Sequence, residues 1–192
     1  MALPLDTAPG PSPDEEAGRN MEISHNFLRQ AREELAKEDL LQASNKAWGA
    51  AAYAIKAVAE KRRWFNDADW RLREAAWVIS AEQADEDIMM GFLASREAHY
   101  SFYHHEEDSY TIGRILTATE RLVGKLLVIV TTDEPPLHVG EEIEERIRRL
   151  QTPTSTMDRD RLANGRKHMD ERPPALPPNE GEDSMGSEIG NP

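Results

Sequence analysis

The stretch Asp39–Trp64, DLLQASNKAWGAAAYAIKAVAEKRRW, limits what this chain can fold into more than any other. Leu41, Trp48, Ala52, Ile55 and Ala59 recur at helical spacing, and Leu40, Ala43, Ala47, Ala51, Ala54 and Val58 form a second apolar stripe beside them. Gln42, Lys46, Gly49, Tyr53, Lys56 and Glu60 make up a single polar stripe. A helix apolar over more than half its circumference belongs at the centre of a bundle rather than on its surface. Its many alanines let neighbouring helices come close. Asp39, with Gln42 three residues on, has the signature of an N-cap with a capping-box partner, which sets the helix start at Leu40.

The rest of the chain reads as further helices between two irregular ends. Apolar residues are concentrated in roughly residues 20–151, and a chain of 192 residues can build one core from them. The first helix is expected from about Ser24 to Lys37, carrying Phe27, Leu28, Ala31 and Leu35, with a minimal turn at Glu38–Asp39. A third helix is predicted over Ala68–Gln83. Its Trp70 and Trp77, seven residues apart, are expected to face the stripe of Trp48 as core. A fourth should run from Ala84 and Asp85 to about His104, and a fifth follows the capping residues Asp108 and Ser109 to Val130. The run Leu126–Val130 could be a buried strand, but with no partner strand in sight it is assigned to that fifth helix. Gly140–Leu150 offers a short accessory helix with only Ile143, Ile147 and Leu150 on its apolar face, expected to dock weakly.

The predicted fold is thus all-α, an antiparallel up-and-down bundle of about five helices. Its expected division is a disordered arm over 1–21, the bundle over 22–134, the accessory helix over 135–151 and a disordered tail over 152–192. Proline, acids and small residues without periodicity define the two ends. Absence of cysteine removes disulfides, thiolate metal sites and cysteine nucleophiles, and fits a cytoplasmic location. No run approaches the ~20 apolar residues of a membrane span, so no membrane partner is expected. A net charge of −13 opposes nonspecific binding to nucleic acid. Gly49, Gly91, Gly113 and Gly124 are isolated and build no phosphate-cradling loop. No cofactor is implied.

Three stretches together carry a family resemblance: the hairpin entering through EDLLQASNKAWGAAAYAIKAVAEKRRW, the segment LASREAHYSFYHHE, and the last long amphipathic helix. On Ala43, Ser44, Trp48, Gly49, Ala50, Ala51 and Lys56, and then on His99, Phe102 and Tyr103, the chain resembles PaREP-type helical proteins of the HEPN superfamily over roughly residues 23–130. It departs from the pattern at Ala98, where leucine is usual, and at Ser101, where asparagine is usual. The resemblance implies a helical bundle, often a homodimer. It also implies roles that range from metal-independent RNA cleavage to nucleotide binding and partnership with a nucleotidyltransferase in toxin–antitoxin pairs.

The RNase branch of that superfamily carries an arginine and a histidine with about four to six residues between them, a pairing that suits charge stabilisation at phosphate and proton transfer near neutral pH. Here Arg96 precedes His99 too closely and His104 and His105 too distantly for that window. Arg19–His25 and Arg161–His168 fit the spacing, one at the edge of the arm and one in the tail, as chance alone would supply. Arg96, His99 and His104 are therefore the catalytic candidates, with Tyr103 and His105 as ligand-binding candidates. His104 and Asp108 have a spacing that could share a metal, but ordinary helix termini explain them better, and no metal is assigned. The expected function is that of a noncatalytic HEPN-like helical protein acting by protein association, with an RNA or nucleotide as a further partner. The alternatives are a metal-independent endoribonuclease and a plain interaction scaffold.

Overall fold

The computed structural model describes residues 10–101, 108–132 and 136–153, and among these it contains six helices and no strand. They are α1 (Pro13–Ala36), α2 (Leu40–Lys61), α3 (Asp69–Glu82), α4 (Glu86–Ser101), α5 (Ser109–Thr131) and α6 (Glu141–Gln151). The fold is all-α, as expected. The described helices number six rather than about five: α1, α2, α4 and α5 pack on one another, and the pair α3 and α6 adds Leu72, Val78, Ile79 and Leu150 to the same core. The predicted start of α2 at Leu40 is the observed one, with the Asp39 side chain accepting from the Gln42 N–H at 2.9 Å.

The central position of α2 follows from its alanines. Ala43, Ala47, Ala50, Ala51, Ala54, Ala57 and Ala59 are all buried, and α2 touches α1, α3, α4 and α5. Helices so close leave little room for side chains. A β-carbon on Gly49 would stand 3.2 Å from the Phe27 ring, and one on Gly91 would stand 3.1 Å from Leu122 Cβ and 3.2 Å from the Ala118 carbonyl oxygen. Beside Gly91, the buried hydroxyls of Ser95 and Thr119 meet at 2.6 Å and join α4 to α5. The Leu126–Val130 run lies within α5 and is helical.

Two expectations are corrected. Residues 13–21, assigned to the disordered arm, belong to α1, which begins well before Ser24. Ser12 and Glu15 form a full capping box, Pro13 occupies a first-turn position where its missing N–H costs nothing, and Asp14, Glu15 and Glu16 suit the positive end of the helix dipole. Ala17 and Met21 then extend the buried stripe of Ser24, Leu28 and Ala31 backwards. The second correction concerns α6, which is firmly seated. Leu150 is fully buried, the Phe65 N–H donates to the Leu150 carbonyl at 2.9 Å, and Arg146 pairs with Glu74 at 2.9 Å while lying 3.9 Å from the Trp77 ring centroid. Trp77 packs against the core, as expected, and also receives α6, whereas Trp70 is 38% exposed and departs from the expectation that both are core. Residues 1–9 and 154–192, which carry the rest of the arm and nearly all of the tail, lie outside the described residues.

Three helices end alike. Glu38, Arg63 and Ala84 have φ of 61°, 58° and 49°, and the N–H groups of Asp39, Trp64 and Asp85 return to the carbonyls of Glu34, Ala59 and Ser80 at 3.0, 2.8 and 3.0 Å. This is the Schellman arrangement, in which glycine is the usual left-handed residue because a β-carbon is strained there. Ala84→Gly relieves that strain while adding unfolded-state entropy, and should stabilise the protein by about 0.5–1 kcal/mol. A urea midpoint at or below that of the parent would contradict this expectation.

Candidate functional site

Arg96 and His99 lie three residues apart on α4 and project to the same side, but each is claimed by a different neighbour. Arg96 donates from Nε and Nη2 to the two carboxylate oxygens of Asp69, at the start of α3, at 3.1 and 2.7 Å. A two-pronged contact of this kind fixes the guanidinium plane and is stronger than a single ion pair. Hydrogen bonding to Asp69 raises the Arg96 pKa above its ordinary value, so the side chain is a permanent cation already matched to an anion.

His99 faces α2. Its Nδ1 lies 2.7 Å from Asn45 Oδ1, and its ring stacks on Trp48 at 6.0 Å with the planes 21° apart. With the Asn45 oxygen accepting, the proton sits on Nδ1 and the lone pair of the neutral ring on Nε2. Tyr100 ties the two halves together. Its ring meets His99 edge-on at 5.7 Å and lies 4.6 Å from the Arg96 guanidinium, while its hydroxyl accepts from Arg96 at 3.3 Å. Trp48 in turn packs on Phe92 at 5.4 Å. The result is a half-exposed layer in which a cation, two aromatic rings and an imidazole are each held by a defined partner.

Burial of the ring lowers the His99 pKa, the Arg96 charge lowers it further, and Asp69 opposes both. The unfolded chain therefore binds a proton at His99 at higher pH than the folded protein does. Stability contributed by the neutral ring is complete above the unfolded value, ~6.5, and is lost as pH falls towards the depressed folded value. In urea titrations the parent should lose more stability between pH 7.5 and 5.5 than His99→Gln does. Equal losses in the two proteins would show that His99 does not titrate differently on folding.

Tyr103, His104 and His105 lie outside the described residues, so only two of the five predicted site residues have a described position. Asn45 and Asp69, which hold those two, were not anticipated. They are 54 and 27 residues away in sequence and carry no local motif. Of the chance spacings, Arg19 and His25 both lie exposed on α1, and Arg161–His168 falls outside the described residues. Among the described residues no group of three or more His, Asp or Glu could hold a metal ion, and no helix is long and apolar enough to cross a membrane.

The outer face of α4 adjoins this layer. Met90, Leu93 and Tyr100, spaced along one side of the helix, are 62%, 36% and 45% exposed. A model of the archaeal PaREP1/PaREP8 family matches residues 19–123, which takes in α2, α3, α4 and most of α1 and α5. No curated protein and no solved structure matches the chain.

Proposed function

The chain belongs to the archaeal PaREP1/PaREP8 family, and from that premise we propose that it is a noncatalytic HEPN-like helical protein that acts by association, first with a second copy of itself. The observation that carries the reading is the closure of Asp69 on Arg96. The Asp69 carboxylate takes up Nε and Nη2 of Arg96 and offsets the positive charge that a phosphate would meet at the remaining nitrogen, whereas catalysis of this type relies on uncompensated donors already aimed at the reacting group. His99 is likewise turned to Asn45 and Trp48. The chain's net charge of −13 adds a barrier to encounter with RNA.

Association is supported by the apolar side of α4, where Met90, Leu93 and Tyr100 stand out from a helix whose opposite side is core. An isologous contact between two such faces gives a homodimer with the Arg96–Tyr100 layer at its rim. A nucleotidyltransferase-type protein is the alternative occupant, with RNA or a nucleotide as ligand of the assembly.

Sedimentation equilibrium of the parent should give a dimer, and Leu93→Glu or Met90→Glu should give a folded monomer. A parent that stays monomeric at all concentrations would remove the homodimer. In parallel, structured and unstructured RNA incubated at low salt without metal should remain intact. Cleavage that both Arg96→Ala and His99→Ala abolish would replace this reading with that of a metal-independent endoribonuclease.

A further inference from the structure

At the far end of α2 from the Arg96 layer, a pocket of about 400 Å³ opens between the C-terminal ends of α2, α3 and α5 and the side of α6. This is within the ~300–1,000 Å³ that small-molecule sites occupy. Val58, Trp64, Ile129, Pro136 and Ile147 supply an apolar wall, and the polar groups come from the helix ends: Lys61 and Arg62 of α2, Glu82 of α3 and Thr132 after α5.

The polar groups of the lining are answered within the protein. Lys61 Nζ donates to the Val130 carbonyl at 2.7 Å and so meets the negative end of α5. Arg62 pairs with the buried Glu82 carboxylate and lies over the Trp64 ring, its guanidinium carbon 5.0 Å from the centroid. The Glu82 carbonyl, at the end of α3, accepts from the His138 N–H at 3.0 Å. Among the described residues of the lining, two cations therefore stand against one carboxylate and three helix C-termini of about half a negative charge each, a near balance. A charged guest would give up part of its hydration in this open pocket and find the charged groups of the described lining already engaged with one another. An uncharged guest loses little and gains the apolar wall.

We infer that this pocket binds a small, uncharged, mostly apolar molecule, about the size of one substituted aromatic ring. The site is separate from the α4 face and does not rest on the association reading.

Benzyl alcohol, benzoate and benzylamine share one shape and differ in charge, so they test the inference directly on the full chain. In proton–nitrogen NMR spectra, with the Trp64 indole signal assigned by its loss in Trp64→Phe, benzyl alcohol should shift that signal saturably. The Trp48, Trp70 and Trp77 signals should stay in place. Its dissociation constant should be at least tenfold lower than that of either charged analogue. Ile129→Trp fills the pocket from α5 and should abolish the shift of Trp64, and Ile147→Trp does the same from α6 if the first variant does not fold. No saturable shift at Trp64, equal binding of benzoate or benzylamine, or binding that survives in a folded filled variant would each overturn the inference.

Discussion

Arg71→Ala should destabilise the protein by roughly 3 kcal/mol, and the loss should be concentrated in α6. Arg71 is only 1% exposed, yet it is a cation, so its place in the core depends on the groups around it. Its guanidinium donates to Asp67 at 2.9 Å and to the Thr152 carbonyl at 3.3 Å, and lies 4.7 Å from the Phe65 ring centroid. The Thr152 contact puts a positive charge at the C-terminal end of α6, where the helix dipole favours one. Breaking a buried ion pair from one side costs roughly 3–5 kcal/mol, chiefly through the charge left behind. Asp67 keeps 21% of its side chain open to water, so the low end of that range applies. Urea denaturation gives the total, and hydrogen exchange should show the α6 amides losing protection before those of α2. Unchanged protection in α6 would mean that Leu150 and the Glu74 pairs hold the helix without Arg71.

Phe92→Ala should cost roughly 3–5 kcal/mol, because it empties a fully buried aromatic site that α2 and α5, held in place by other contacts, cannot collapse to fill. Trp48→Ala should cost about 3 kcal/mol, at the bottom of the same range, since Trp48 is only partly buried and its outer face stacks on His99. The two changes are coupled through the Trp48–Phe92 contact, so the double variant should lose less than their sum. Phe92→Ala should also loosen His99 and shrink the pH dependence that His99 adds. A loss below ~1 kcal/mol for Phe92→Ala in urea denaturation would show that the core repacks around the gap.

The α2 boundary was legible because its signals are local. Asp39, Gln42 and the alanine stripes lie within one helix and act over one to six turns, and α3, α5 and α6 were placed to within a few residues on the same kind of pattern. The start of α1 is legible too, since the acids and proline of Ser12–Glu16, which composition alone reads as disorder, stand in the order Ser, Pro, Asp, Glu and are the parts of a helix cap. The weak docking expected of α6 failed for another reason. Its sequence shows three apolar residues among charges, but the arginines that look like a solvated face are the groups that bind Glu74 and Trp77.

Residue types along one strand of chain determined where helices form and which side of each is apolar, because caps and 3.6-residue periodicity are set by neighbours in sequence. Tertiary structure alone decided which groups Arg96 and His99 meet. Their character in isolation is that of a phosphate-binding cation and a proton carrier, but the charge and the proton of a side chain are governed by what lies within a few ångströms. Asp69 and Asn45 reach that distance only when α3 and α2 fold against α4.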